Sequence, residues 1–151
     1  MATFSSRHIR TPEEFRTQLH RHGLKATRQR MAVHEAMMEL VHASADMVCE
    51  HLAARGASVT VASVYNILSQ LADHHLYARR LSASNKMFFD VHTDRHIHMY
   101  DRENHVFRDL ADEELMTLVG AHLRRRKFRG YSVEDIDIQI IVHPTKKKSA
   151  L

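Results

Sequence analysis

Apolar residues along the first half of the chain recur at helical spacing, in short runs that each follow a residue able to cap a helix. Thr11-Pro12-Glu13-Glu14 joins a capping threonine, a proline at the first helical position and carboxylates in the first turn, so a helix is expected from there to Gly23 with Phe15 and Leu19 inward. Thr27 precedes a second run carrying Met31, Met38 and Val41; Ser44 precedes a third carrying Val48 and Leu52 and closed by Gly56. From about Thr60 to Asp73 a fourth run sets Val61, Val64, Leu68 and Leu71 on one side and Ser63, Asn66 and Gln70 on another.

The period then shortens. "LYARRLSASNKMFFDV" predicts two strands around the turn residues Ser82-Ala83-Ser84-Asn85, with Arg79 and Arg80 on the first strand. His96 to Asp101 and Asn104 to Leu110 predict a second hairpin about Arg102-Glu103. A helix is expected from Asp112 to Phe128 with Leu115, Leu118, Val119 and Leu123 inward, and Asp135 to Ile140 alternates as a half-buried strand does. The pattern reads as an α+β chain: a winged helix-turn-helix over residues 1–91, a hinge at 92–95, a small α/β domain over 96–143 and a basic tail at 144–151.

Composition narrows the partners. At 151 residues and 44% apolar, the chain can build ordinary cores. No apolar run approaches bilayer length and the N-terminus has no secretion-signal centre, so a cytoplasmic protein with no membrane partner is expected. The single cysteine, Cys49, can form neither an internal disulfide nor a paired-thiolate zinc knuckle, and it reads as a partly buried helix residue. Lys and Arg number 22 against 18 Asp and Glu, a basic balance compatible with nucleic acid. Fourteen histidines point to metal or pH chemistry.

That chemistry concentrates in "FFDVHTDRHIHMYDRENHVFRD", residues 88–109. On a strand, His96 and His98 leave the same face. A turn at Arg102-Glu103 would set Asp109 opposite His96, and Asp90, just before the hinge, is the natural fourth ligand. Imidazole and carboxylate without thiolate suit zinc(II), iron(II) or manganese(II) alike. The same donors with open positions would also fit a non-heme metalloenzyme, but no general base stands beside them. In the first half, Lys25, Arg28 and Arg30 with Arg79 and Arg80 on the wing are candidate phosphate contacts, and Ser63, Asn66 and Gln70 candidate base contacts.

"GLKATRQR", "HASADMVCEHL", "TVASVYNILSQLADHHL", "FFD" and "HIH" stand in the order and spacing of the ferric uptake regulator family, which the chain resembles over nearly its whole length. The resemblance implies a homodimer that binds palindromic double-stranded operator DNA, a C-terminal dimerisation domain and one regulatory divalent metal per subunit, most readily iron(II). It adds His42 as a fifth ligand to Asp90, His96, His98 and Asp109, and Tyr65 as a DNA contact beside Asn66, where relatives often carry arginine. Asp101 and Asn104 match the family's Cys-x-x-Cys, so the structural zinc is expected to be missing. Arg95, Ile97, Met116 and Ile136 occupy the approximate positions of a further metal site that then looks lost. Aspartate at both Asp90 and Asp109 resembles peroxide-sensing members, an alternative to iron sensing. A heme-responsive regulator using His96 and His98 is a third possibility.

Overall fold

Four capping hydroxyls start the helices of the first half. In a computed structural model that describes residues 11–94 and 97–146, Thr11 accepts from the Glu14 N–H while the Glu14 carboxylate accepts from the Thr11 N–H, a reciprocal box opening α1 (Pro12–Arg21). Thr27, Ser44 and Thr60 cap α2 (Arg28–Leu40), α3 (Ala45–Ala53) and α4 (Val61–Asp73) in the same manner. Gly56, at φ +80°, adopts the left-handed conformation that lets the chain leave α3.

Among the described residues the chain divides after Thr93 into two compact units. In the first, Phe15, Leu19, Val33, Met37, Val48, Val64, Leu68 and Leu71 are fully buried and join the helices into one core. Two expected stripes are corrected. On α2 the buried residues are Val33, His34, Ala36 and Met37, while Met31 and Met38 are half-buried and Val41 is the C-cap at φ 65°. On α4, Val61 lies in the first turn outside the Val64–Leu68–Leu71 row and is 45% exposed.

The wing is the predicted hairpin, β2 (Ala78–Leu81) and β3 (Met87–Asp90), closed by Ser82, whose hydroxyl accepts from the Ser84 and Lys86 N–H groups, and by Asn85 at φ 60°. A further strand that no local pattern announces, β1 (His42–Ala43), lies on the other side of β3, so the sheet runs β1-β3-β2 and sets His42 opposite Asp90. With α3 and α4 this makes an α+β winged helix-turn-helix.

The second unit is a sheet in the order β5-β4-β6, with β4 (Ile97–Asp101) antiparallel to β5 (Val106–Leu110) and parallel to β6 (Ile138–Val142). Its hairpin turns later than expected. Asp101 Oδ1 accepts from the N–H groups of Glu103 (2.9 Å) and Asn104 (3.0 Å), and Oδ2 accepts from the Asn104 amide (2.8 Å). The Asn104 side-chain amide and N–H hold the Asp101 carboxyl below the usual carboxylate range. His105, at φ 55°, completes the loop, its Nδ1 3.0 Å from the Tyr100 hydroxyl. This longer loop shifts the pairing so that Asp109 opposes His98, not His96. The helix α5 (Glu113–Arg124), capped by Asp112, ends short of Phe128, and β6 begins later than the predicted strand. No residue of α5 is fully buried, and Leu118, expected inward, is 61% exposed.

Candidate metal centre and nucleic-acid face

Pairing within each sheet brings a carboxylate to an imidazole. In the first unit, His42 and Asp90 share a face because they are direct partners across β1 and β3, and His42 Nδ1 lies 3.2 Å from Asp90 Oδ2. Both are buried, Asp90 to 2% exposure. Asp90 Oδ1 accepts from the His92 N–H at 2.8 Å, which fixes the carboxylate plane. On the other flank of β3, Arg80 Nη1 stands 3.7 Å from the same Oδ2 that faces His42.

In the second unit, His98 and Asp109 are partners across β4 and β5, with His98 Nε2 3.6 Å from Asp109 Oδ1. His98 is fully buried, and Phe107 meets its ring edge-on at 5.9 Å and 86°. His96 lies outside the described residues. The remaining expected ligands therefore form two pairs of a buried imidazole with a carboxylate, donors that match a borderline or hard divalent ion in type. Cys49 adds no thiolate: burial pushes its pKa up, and its thiol donates to the Val59 carbonyl at 3.7 Å.

The candidate nucleic-acid face lies in the first unit. Lys25 and Arg28 are exposed before and within the first turn of α2; Tyr65, Asn66 and Gln70 are exposed on α4. Ser63 is half-buried, its hydroxyl accepting from Thr60. Tyr65 leans edge-on against Phe89, ring centres 5.8 Å apart, so its orientation is set by the wing sheet. Val61, expected in the core, is exposed and joins this face instead.

Three of the candidate phosphate contacts also have partners within the unit. Arg30 donates to the Lys25 carbonyl and to the Gln70 side chain, tying the start of α2 to α4 instead of standing free. On the wing, Arg79 donates to the Ser69 carbonyl (2.9 Å) and Asp73 (2.6 Å) at the end of α4, and Arg80 turns to Asp90. Arg79 stays exposed beside these contacts, whereas Arg80 is largely covered.

Helix termini sharpen the face. The first turns of α1, α3 and α5 carry Glu13 and Glu14, Asp46, and Glu113 and Glu114, which complement the positive end of each helix dipole. Those of α2 and α4 carry no acid, and α2 begins with Arg28 and Arg30. Cations there oppose the dipole of their own helix. An anion brought to those termini would satisfy both.

The sequence profile of the Ferric uptake regulator family matches residues 21–141. No curated protein matches the chain significantly in sequence. Among solved structures, the Vibrio cholerae ferric uptake regulator is 20% identical, with 86% of this chain and 99% of that one covered and a TM-score of 0.75. The Pseudomonas aeruginosa ferric uptake regulator with manganese is 25% identical, with 86% and 97% covered and a TM-score of 0.67. A Campylobacter jejuni peroxide stress regulator is 24% identical, with 87% and 96% covered and a TM-score of 0.62.

Proposed function

The chain belongs to the ferric uptake regulator family, and on that premise we propose that it is an iron(II)-responsive repressor that binds palindromic operator DNA as a homodimer when each subunit holds one divalent ion. The family comprises metal-binding, DNA-binding transcription regulators and not enzymes. The observation that carries the reading is the pair of carboxylate–imidazole sets, His42 with Asp90 and His98 with Asp109.

Each set offers two donors, fewer than zinc(II), iron(II) or manganese(II) takes. We read both sets, with His96, as ligands of the same ion, which when bound supplies the positive charge that draws the carboxylates and imidazoles together. His42 and Asp90 belong to the winged helix, and His98 and Asp109 to the other unit, so shared ligation would fix one unit against the other. Operator affinity and metal affinity are then coupled, each raising the other by the same factor. Full burial of His98 favours a small ion over heme, whose porphyrin needs an open face around its axial ligand.

In this reading DNA is held by Lys25, Arg28 and the acid-free starts of α2 and α4, and read by Ser63, Tyr65, Asn66 and Gln70. The second unit supplies dimerisation through apolar side chains left outward, among them Leu118 and Ile141. No described helix is long and apolar enough to cross a membrane, in keeping with a regulator that works at cytoplasmic DNA.

A gel shift on promoter DNA with and without iron(II), zinc(II) or manganese(II), alongside metal analysis of the purified protein, tests the proposal: retardation should require metal, and metal-independent retardation would refute it. Because both carboxylates are aspartates, the peroxide-sensing alternative has its own arm. Peroxide that abolishes retardation only in the iron-loaded protein selects it, and unchanged retardation removes it. Leu118→Glu with Ile141→Glu should give a monomer in light scattering and weaken operator binding by about a hundredfold, the scale of lost avidity. A stable dimer in that variant would move the interface elsewhere.

A further inference from the structure

A buried carboxylate in a metal-free protein needs a counter-charge, and Asp90 has one already in place. The strand order β1-β3-β2 puts His42 directly opposite Asp90 on one side. On the other, Asp90 faces Ala78, and Arg80 lies two residues along β2 on the same face. Across that diagonal the Arg80 side chain, 14% exposed, holds Nη1 3.7 Å from Asp90 Oδ2. Arg79, the next residue along the strand, points the opposite way to Ser69 and Asp73.

We propose that Arg80 is a resident counter-cation of Asp90 that an incoming divalent ion must displace, so that this one side chain sets how much metal is needed to load the site. The proposal rests on the metal-binding reading above. A guanidinium stays charged at every physiological pH. It therefore stabilises the Asp90 carboxylate when no ion is bound, where an uncompensated buried charge would be costly. The same charge repels a divalent ion approaching Oδ2, and a pair this buried is poorly screened by salt.

Arg80 thus acts in opposite directions on the metal-free and metal-loaded states. A residue that merely packs the wing would favour both. Removing the charge should lower the melting temperature of the metal-free protein and, in the same molecule, tighten metal binding. At a few ångströms, even with water-like screening, a unit charge acting on a divalent ion is worth about tenfold in affinity. Lower affinity for free ion in the wild-type protein would place its response at a higher metal level than the bare ligands would give.

The test is a competition titration of the full-length protein with manganese(II) against a fluorescent chelator, together with thermal unfolding with and without manganese(II). Arg80→Gln and Arg80→Met, the second keeping the apolar stem, are each expected to bind manganese(II) about tenfold more tightly. Each should also melt lower without metal and show a larger metal-induced rise. Arg79→Gln removes an equal charge from the opposite face and should leave manganese affinity unchanged. Equal or weaker binding by whichever Arg80 variant folds would overturn the proposal, as would an equal gain in Arg79→Gln. Wild-type protein that binds no manganese(II), zinc(II) or iron(II) would instead overturn the metal-site reading on which the proposal rests.

Discussion

Asp109→Asn combined with His98→Ala is expected to lower affinity for manganese(II) or zinc(II) by more than a hundredfold and to erase the metal dependence of operator binding. Loss of groups that only support a ligand already costs about ten- to a hundredfold, and these two are proposed ligands. They face each other across β4 and β5 with their polar atoms 3.6 Å apart. Asp109→Asn alone keeps size and hydrogen-bonding reach while removing the charge, so it separates lost ligation from lost packing. His98→Ala adds a packing loss because the ring meets Phe107 edge-on in a fully buried position. Chelator competition measures the affinity, a gel shift measures the coupling, and circular dichroism verifies that the fold is retained. Metal-dependent retardation that survives in the folded double variant would disprove ligation by this pair.

Phe15→Ala is expected to destabilise the winged-helix unit by about 3–5 kcal/mol, the usual cost of emptying a buried phenylalanine site. Phe15 is fully buried, and its ring stacks on His34 at 3.6 Å and 7°. His34 in turn places Nδ1 2.7 Å from the Tyr77 hydroxyl. The substitution therefore loses apolar burial and also uncovers a buried polar pair that one aromatic face protects. A loss of this size is a large share of a domain's stability of about 5–15 kcal/mol. For a unit this small it corresponds to a fall in melting temperature of roughly 15 °C or more. Urea unfolding followed by circular dichroism should show the earlier transition, and an unchanged midpoint would show that α1 contributes little to this core.

What sequence could and could not reveal follows from how local each cause is. Thr11, Thr27, Ser44 and Thr60 act within one helical turn, so the starts of α1 to α4 were readable directly. The wing turn was readable for the same reason. By contrast β1 is only His42–Ala43 and exists because β3 offers it an edge, so nothing near it in sequence predicts a strand. The two-strand register at His98 and Asp109 depended on how Asp101 folds the loop back, and a tighter turn at Arg102-Glu103 gave the wrong partner. Aspartate and histidine remained on one face because the shift was even. The internal partners of Arg79 and Arg80 were not legible because a charge pattern does not show which carbonyl or carboxylate an arginine meets. The outward position of Leu118 on α5 was missed because periodicity identifies a face, not what covers it.

The Asp101–Asn104 loop has a consequence for the conditions under which such a regulator can operate. Carboxylate and amide close the hairpin without thiolates, and burial pushes the pKa of the only sulfhydryl in the chain, Cys49, up. Oxidants that convert paired cysteines to disulfide, and chelators that strip thiolate-bound zinc, find no target at this corner. If the chain responds to metal as proposed, starvation for the ion should empty the gauge without dismantling this hairpin.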